Sequence, residues 1–249
     1  MFGEVAQQYQ DVRPSYPDAL YDIIVGLSGV GPGDPVLDTG AGTGKATESL
    51  VARGFDVTAV EPSPEMAVVL RSRFPGLPVL VSNFEDCDLP EHRFALITAG
   101  QSWHWVDPRR GPQKAHALLR PRGWLALFWN AGALDDCEWH DDLQPIYGRI
   151  TPEMTHEKLA PQQDASVQAQ FASLRASGLF EEPVTRQVMW QERYSTEAYV
   201  ALLATHSNHR MLPDEQRAQL HAAIAEAIDE RGGSVEHPYR TDLVAFRVK

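Results

Sequence analysis

"LDTGAGTGKATES" spans Leu37–Ser49 and sets three glycines, Gly40, Gly42 and Gly44, within five residues. The apolar run before it, "PVLDT" (35–39), reads as a buried strand. The segment after it, "KATESLVARG" (45–54), has helical spacing and ends on Gly54, a residue type suited to a helix C-terminus. A loop of this kind, between a strand and a helix, presents free backbone N–H groups and the positive end of a helix dipole to a ligand. A P-loop is excluded. Its spacing G-x-x-x-x-G-K-[ST] would put a glycine at Thr39 and a hydroxyl at Ala46. The dinucleotide fingerprint G-x-G-x-x-G fails at its third glycine, which falls on Lys45. Asp38, two residues before Gly40, disfavours a diphosphate and suits a ligand that carries a positive group.

Outward from this loop, short apolar runs alternate with amphipathic segments. "FDVTAVE" (55–61), "LPVLVS" (77–82), "FALITAG" (94–100) and "GWLALFWN" (123–130) read as strands. "SPEMAVVLRSRF" (63–74) reads as a helix capped by Ser63 with Pro64 in its first turn, and "PRRGPQKAHALLRP" (108–121) as a helix despite Pro112. The alternation predicts an α/β, doubly wound sheet with the ligand crevice at the carboxyl ends of its strands. In the second half, "EPVTRQVMWQ" (182–191) and "YRTDLVAFRVK" (239–249) read as strands. They bracket two helical segments, 191–208 and 212–231, and helix and loop are expected between Leu134 and Phe180. An edge hairpin whose connection has grown into a helical cap is expected. The expected layout is an N-terminal helical lead-in over 1–34, a ligand-binding core over 35–133, and a part over 134–249 that completes the sheet and carries the cap at about 192–235.

The chain has 249 residues, 43% of them hydrophobic, which fits one domain with a real core. Lys and Arg number 22 against 34 Asp and Glu, giving a net charge of -12 that repels polyanions. The basic clusters "PRRG" (108–111) and "RPRG" (120–123) are short and read as solvated helix ends, so no nucleic-acid partner is expected. There is no apolar run long enough for a membrane span, and the N-terminus lacks the pattern of a secretory signal. Cys87 and Cys137 lack CxxC spacing and read as two reduced thiols. A cytoplasmic protein, monomeric or homodimeric, is expected. "DDCEWHDD" (135–142) holds carboxylates and His140, but reads as an acidic helix start, and no metal is expected.

"VLDTGAGTG" resembles the first motif of class I S-adenosylmethionine-dependent methyltransferases, commonly V-L-D-x-G-x-G-x-G. Four further stretches resemble the later motifs in order: "VTAVEPSPEM", "NFEDCDLP", "FALITAGQSWHWVD" and "LLRPRGWLALFWN". The lead-in "VAQQYQDVRPSYP" resembles that of the small-molecule branch that includes trans-aconitate methyltransferases. The matches cover about residues 2–130. Arg122 stands where family members often have glycine. The resemblance implies a seven-stranded, mixed, Rossmann-like sheet and S-adenosylmethionine as cofactor, with S-adenosylhomocysteine as product.

On that resemblance the cofactor loop is Asp38, Thr39, Gly40, Ala41, Gly42 and Gly44, and Glu61 grips the ribose hydroxyls beside Pro62 and Met66. Asn83, Phe84 and Glu85 flank the adenine, while Ala99, Gly100 and Gln101 line the methionine portion, with Arg13 near the cofactor carboxylate or the substrate. Asp38 either meets the cofactor ammonium or braces the loop. "SWHW" (102–105) follows the fourth strand, and His104 is the candidate catalytic base, with a pocket-shaping role as its alternative. Candidate acceptor contacts are Tyr9, Tyr16, Trp103, Trp105, Trp129, Asn130, His140 and His206. The expected function is methyl transfer to a small molecule, with oxygen or carboxylate preferred. Three alternatives stay open: a tRNA or protein methyltransferase, a non-catalytic S-adenosylmethionine-binding protein, and a nicotinamide oxidoreductase.

Overall fold

The computed structural model describes residues 12–133, 138–154 and 165–249. The elements run α1 (Asp18–Ser28), β1 (Pro35–Thr39), α2 (Lys45–Ala52), β2 (Asp56–Val60), α3 (Pro64–Arg73), β3 (Val79–Leu80), β4 (Phe94–Gly100), α4 (Gly111–Leu118), β5 (Leu119–Gly132), α5 (Glu138–Ile150), α6 (Ala165–Ala176), β6 (Val184–Ser195), α7 (Thr196–Ala204), α8 (Ser207–Arg210), α9 (Asp214–Glu230) and β7 (Ser234–Arg247). Single 3-10 turns at Phe84–Asp86 and Trp103–Trp105 flank β4. The strands form one seven-stranded sheet in the order β3-β2-β1-β4-β5-β7-β6. Strands β1 to β5 pair in parallel, and β7 runs antiparallel to both β5 and β6. The mixed, doubly wound sheet is the one the sequence predicts.

Side-chain alternation explains why the parallel strands read as continuous apolar runs. Leu37, Ile97, Leu125, Leu127 and Trp129 bury on one face with Phe171 and Leu174 of α6. Their neighbours Val36, Leu96, Ala126 and Phe128 bury on the other with Leu20, Tyr21 and Ile24 of α1. Both faces are covered, as a βαβ crossover requires. Ser63 caps α3 by accepting the Met66 N–H at 3.2 Å, ahead of Pro64. A third core, of Trp139, Tyr147, Tyr199, Leu202, Leu220 and Ile224, lies among α5, α7 and α9.

Three boundaries differ from the sequence reading. The helix expected over 108–121 stops at Leu118, and β5 begins at Leu119 rather than 123, through Arg122 at φ 64°. The strand expected over 77–82 pairs only at Val79–Leu80. Residues 191–195, expected in a helix, continue β6, because Glu192–Ser195 find partners in His237–Ser234. The helix starts one residue later, where Ser195 accepts the Ala198 N–H. Helices α7, α8 and α9 therefore occupy the connection between the two antiparallel strands.

Candidate active site

A cavity of about 980 Å³ opens at the carboxyl ends of β1, β2 and β4. Its floor is the loop Thr39–Thr43, and residues of α7 and β7 close its far side. The loop is held by packing as much as by hydrogen bonds. A Cβ on Gly44, at φ 94°, would lie 2.6 Å from Leu70 Cδ1 and 2.7 Å from Phe74 Cε2, so this glycine lets α3 approach the start of α2. A Cβ on Gly40 would lie 2.4 Å from Ser102 Cβ, and Ser102 in turn donates to the Thr39 carbonyl at 2.8 Å. The first glycine thus seats the loop against the turn after β4.

Glu61 stands just past β2, buried, and lines the cavity. Its Oε2 accepts the Gly42 N–H at 2.7 Å and its Oε1 the Ser63 N–H at 2.8 Å. Burial raises the pKa of this carboxyl, and the two backbone donors oppose the rise. Asp38 is 1% exposed; Thr47 donates to its Oδ2 at 2.6 Å and Thr98 to its Oδ1 at 3.1 Å. Burial pushes its carboxyl up to about 6 despite the two hydroxyls. The contacts in hand are those of a carboxylate that ties β1, α2 and β4 together. Asn83, Phe84 and Glu85 line the same cavity, and Glu85 accepts the Asp107 backbone N–H.

Of the cofactor candidates, Arg13, Asp38, Thr39, Gly40, Ala41, Gly42, Glu61, Pro62, Met66, Asn83, Phe84, Glu85, Gly100 and Gln101 line the one cavity. Gly44 does not, for the packing reason given, and Ala99 is wholly buried in the sheet core. Gln101, at φ 55°, donates from Nε2 to the Asn130 carbonyl at 3.0 Å. Asn130 donates to the Ser15 carbonyl at 2.8 Å and accepts from Thr241 at 2.6 Å, so it pins the N-terminal segment over the cavity. Arg13 donates to the Thr205 carbonyl at the end of α7 at 3.0 Å.

The tryptophan–histidine turn is corrected. Trp103 is fully buried against Phe84, with ring centroids 5.3 Å apart. Trp129 is buried against Phe171, because its parity on β5 turns it to the helix-covered face. His104 is not part of the cavity wall; its Nδ1 receives the Trp129 indole N–H at 3.4 Å and its ring lies 4.8 Å from Trp105. Trp105 is 82% exposed at the rim. Tyr16, His140 and His206 line the cavity, whereas Tyr9 and Cys137 lie outside the described residues. The acidic stretch holds no metal site among the described residues: Asp142 pairs with Arg231, and His140 is buried beside Gln144. Among the described residues, no helix is long and apolar enough to cross a membrane.

Among the wall residues that the sequence reading missed, Tyr199, Leu202, Leu203, His237 and Tyr239 come from the insert and from β7. Val235, His237 and Tyr239 alternate inward along β7, and that period was the available signal.

Residues 37–127 match a family described as a methyltransferase domain. An uncharacterized methyltransferase of Mycobacterium tuberculosis is 34% identical over 206 residues, 83% of this chain and 76% of that one. Another, from Schizosaccharomyces pombe, is 26% identical over 96% of this chain and 90% of its own length. A candidate type II methyltransferase from Anaeromyxobacter dehalogenans superposes with a TM-score of 0.65 at 25% identity, over 94% of this chain and 96% of that one. A phosphoethanolamine N-methyltransferase of Haemonchus contortus, solved with S-adenosyl-L-methionine, shares the fold at a TM-score of 0.53 and 13% identity, over 98% of this chain and 55% of that one. With the five ordered motifs, the sheet topology and a relative matched over most of both lengths in agreement, the chain belongs to the class I S-adenosylmethionine-dependent methyltransferases.

Proposed function

We propose that the protein transfers a methyl group from S-adenosylmethionine to a small-molecule acceptor, with oxygen, carboxylate included, as the accepting atom. The observation that carries this reading is the cavity, with the glycine loop and Glu61 at one end and residues of α7 and β7 at the other. Its volume of about 980 Å³ lies at the top of the range for small-molecule sites, roughly 300–1,000 Å³. That is room for a nucleoside cofactor with a second small molecule beside it. Arg13 and Lys45 are the only Lys or Arg among the described lining residues. With a net charge of -12, such a wall offers little to a nucleic-acid backbone.

The residues present fit the cofactor. Each Glu61 oxygen uses one lone pair on a backbone N–H and keeps another for a ribose hydroxyl. The loop around Gly42 brings bare backbone to the cavity, and Asn83 and Phe84 offer a polar group and a ring edge to the base. When bound, the cofactor supplies an electrophilic methyl on a sulfonium. The chain's own part is to align the acceptor atom with that methyl and to exclude water, which the pinned N-terminal segment and the insert do from two sides.

Calorimetry with S-adenosylhomocysteine, with NADH and ATP as controls, tests this on wild type and Glu61→Ala. Micromolar binding that collapses in the variant is expected. Binding of NADH instead, or of neither, would overturn the reading. Turnover of tRNA or protein in place of small molecules would move the acceptor to a macromolecule.

A further inference from the structure

The far end of the cavity differs in chemistry from the loop end. The three carboxylates of its wall, Asp38, Glu61 and Glu85, all lie on β1, just past β2 or in the 3-10 turn before β4. The wall contributed by α5, α7, α8 and β7 has none among the described residues; it carries histidines, tyrosines, leucines and Asn208. An ammonium group would find no counter-charge there, whereas an anionic oxygen would meet polar N–H and O–H groups and no carboxylate to repel it.

Among the described residues that line the cavity, His237 has an imidazole without a hydrogen-bond partner. It lines the cavity at 7% exposure, yet neither ring nitrogen makes a hydrogen bond among the described residues, and Nδ1 is sealed from solvent. Its ring is boxed by Tyr239 at 4.5 Å, Tyr199 at 5.6 Å, Trp139 at 6.1 Å and Tyr194 at 6.2 Å between centroids. Buried polar groups without partners are rare. Nε2 is not sealed as Nδ1 is, so it is the ring nitrogen that a molecule in the cavity can reach.

We propose that His237 is the acceptor-binding residue, whose Nε2 edge donates to an anionic oxygen of the acceptor beside Tyr199 and Tyr239 on the same wall. This rests on the small-molecule reading above. The neighbouring groups leave the imidazole free to respond to such an oxygen. Tyr194 and Tyr239 donate and accept with each other at 3.0 Å, and burial raises the pKa of both, so they stay neutral. Glu192, opposite His237 in the strand pair and so on the same face, and Glu236 beside it in the chain are both exposed to solvent. His140 faces it from α5, and Arg13 acts electrostatically on the same tyrosines. In the ligand-free protein, burial and then His140 push the His237 imidazole down to about 4, so it is neutral. An anion in contact raises it again, and binding therefore takes up a proton.

The test uses the full chain saturated with S-adenosylhomocysteine and three probes of one shape: benzoate, benzyl alcohol and benzylamine. Benzoate is expected to bind best. At pH 6 it takes up about three-quarters of a proton if contact brings the imidazole back near its ordinary value, read by calorimetry in buffers of different ionisation enthalpy. In His237→Phe, which keeps a ring in the box, benzoate weakens about ten- to a hundredfold and the proton uptake disappears. S-adenosylhomocysteine binding is unchanged. Unaltered benzoate affinity in the variant, preference for benzylamine, or failure of benzoate to bind wild type would overturn the proposal while leaving cofactor binding intact. Loss of S-adenosylhomocysteine binding by wild type would instead overturn the reading beneath it. The order of the three probes on wild type stands even if the variant does not fold, and a failure of benzoate to bind better than benzyl alcohol and benzylamine alone refutes the proposal.

Discussion

Replacing Asp38 by Asn separates the two roles of this carboxylate, because the structure fixes what its charge costs. Asp38 is wholly buried with two hydroxyl donors, and burial still pushes its carboxyl from 3.8 up to about 6. The folded state therefore holds this proton more tightly than the unfolded chain does, and stability falls as pH rises between those two values. Relative to full protonation the ionised group costs roughly 1.5 kcal/mol at pH 5 and roughly 3 kcal/mol at pH 7. An amide has no charge to bury. Its oxygen keeps one threonine donor, and Thr98, which already lies 3.4 Å from the Leu37 carbonyl, has that acceptor when the amide NH₂ faces it. Asp38→Asn is thus expected to be at least as stable as wild type at pH 7. Its advantage should shrink by about 1–2 kcal/mol on going down to pH 5. Urea denaturation of both proteins across this range measures the difference, in which Glu61 and the histidines largely cancel. Equal pH slopes for the two, or a loss of more than about 2 kcal/mol at pH 7, would refute the argument from burial.

Gly44→Ala forces a Cβ against Leu70 and Phe74 at a positive φ, and should cost about 2–4 kcal/mol by thermal or chemical denaturation. Trp103→Ala empties a wholly buried site and should cost about 3–5 kcal/mol, whereas Trp105→Ala, at the exposed rim, should change stability by less than about 0.5 kcal/mol. His104→Ala should leave S-adenosylhomocysteine affinity within about twofold of wild type and cost about 1 kcal/mol of stability, since its ring serves the Trp129 indole and not the cavity.

The sequence made the sheet and the cofactor end of the cavity legible for local reasons. Gly40, Gly42 and Gly44, the cap at Ser63 and the acid at the end of β2 lie close to what they act on, so spacing alone locates them. The acceptor end depended on pairings between distant residues. Residues 191–195 carry good helix formers, and only the antiparallel partner at 234–237 makes them strand. Side-chain direction in "GWLALFWN" was equally hidden. With both faces of β5 buried, hydrophobicity does not say that Trp129 joins the α6 side and Phe128 the α1 side. His104 sat at a promising distance from β4, but its 3-10 turn sends Trp103 into the core and leaves the histidine packed behind the wall.

The insert between β6 and β7 leaves and re-enters the sheet at neighbouring points, since Ser195 and Ser234 are paired in register. Chain closure there is already satisfied without residues 196–233, so a tight turn in their place is compatible with the sheet. The part of the cavity wall that the insert contributes is thus separable in chain topology from the glycine loop and Glu61. A replacement for helices α7, α8 and α9 has to rebuild the core they share with α5 and β7, while the glycine loop and Glu61 keep their places. Chimeras joined at Ser195 and Ser234 are the natural currency for changing what this scaffold methylates.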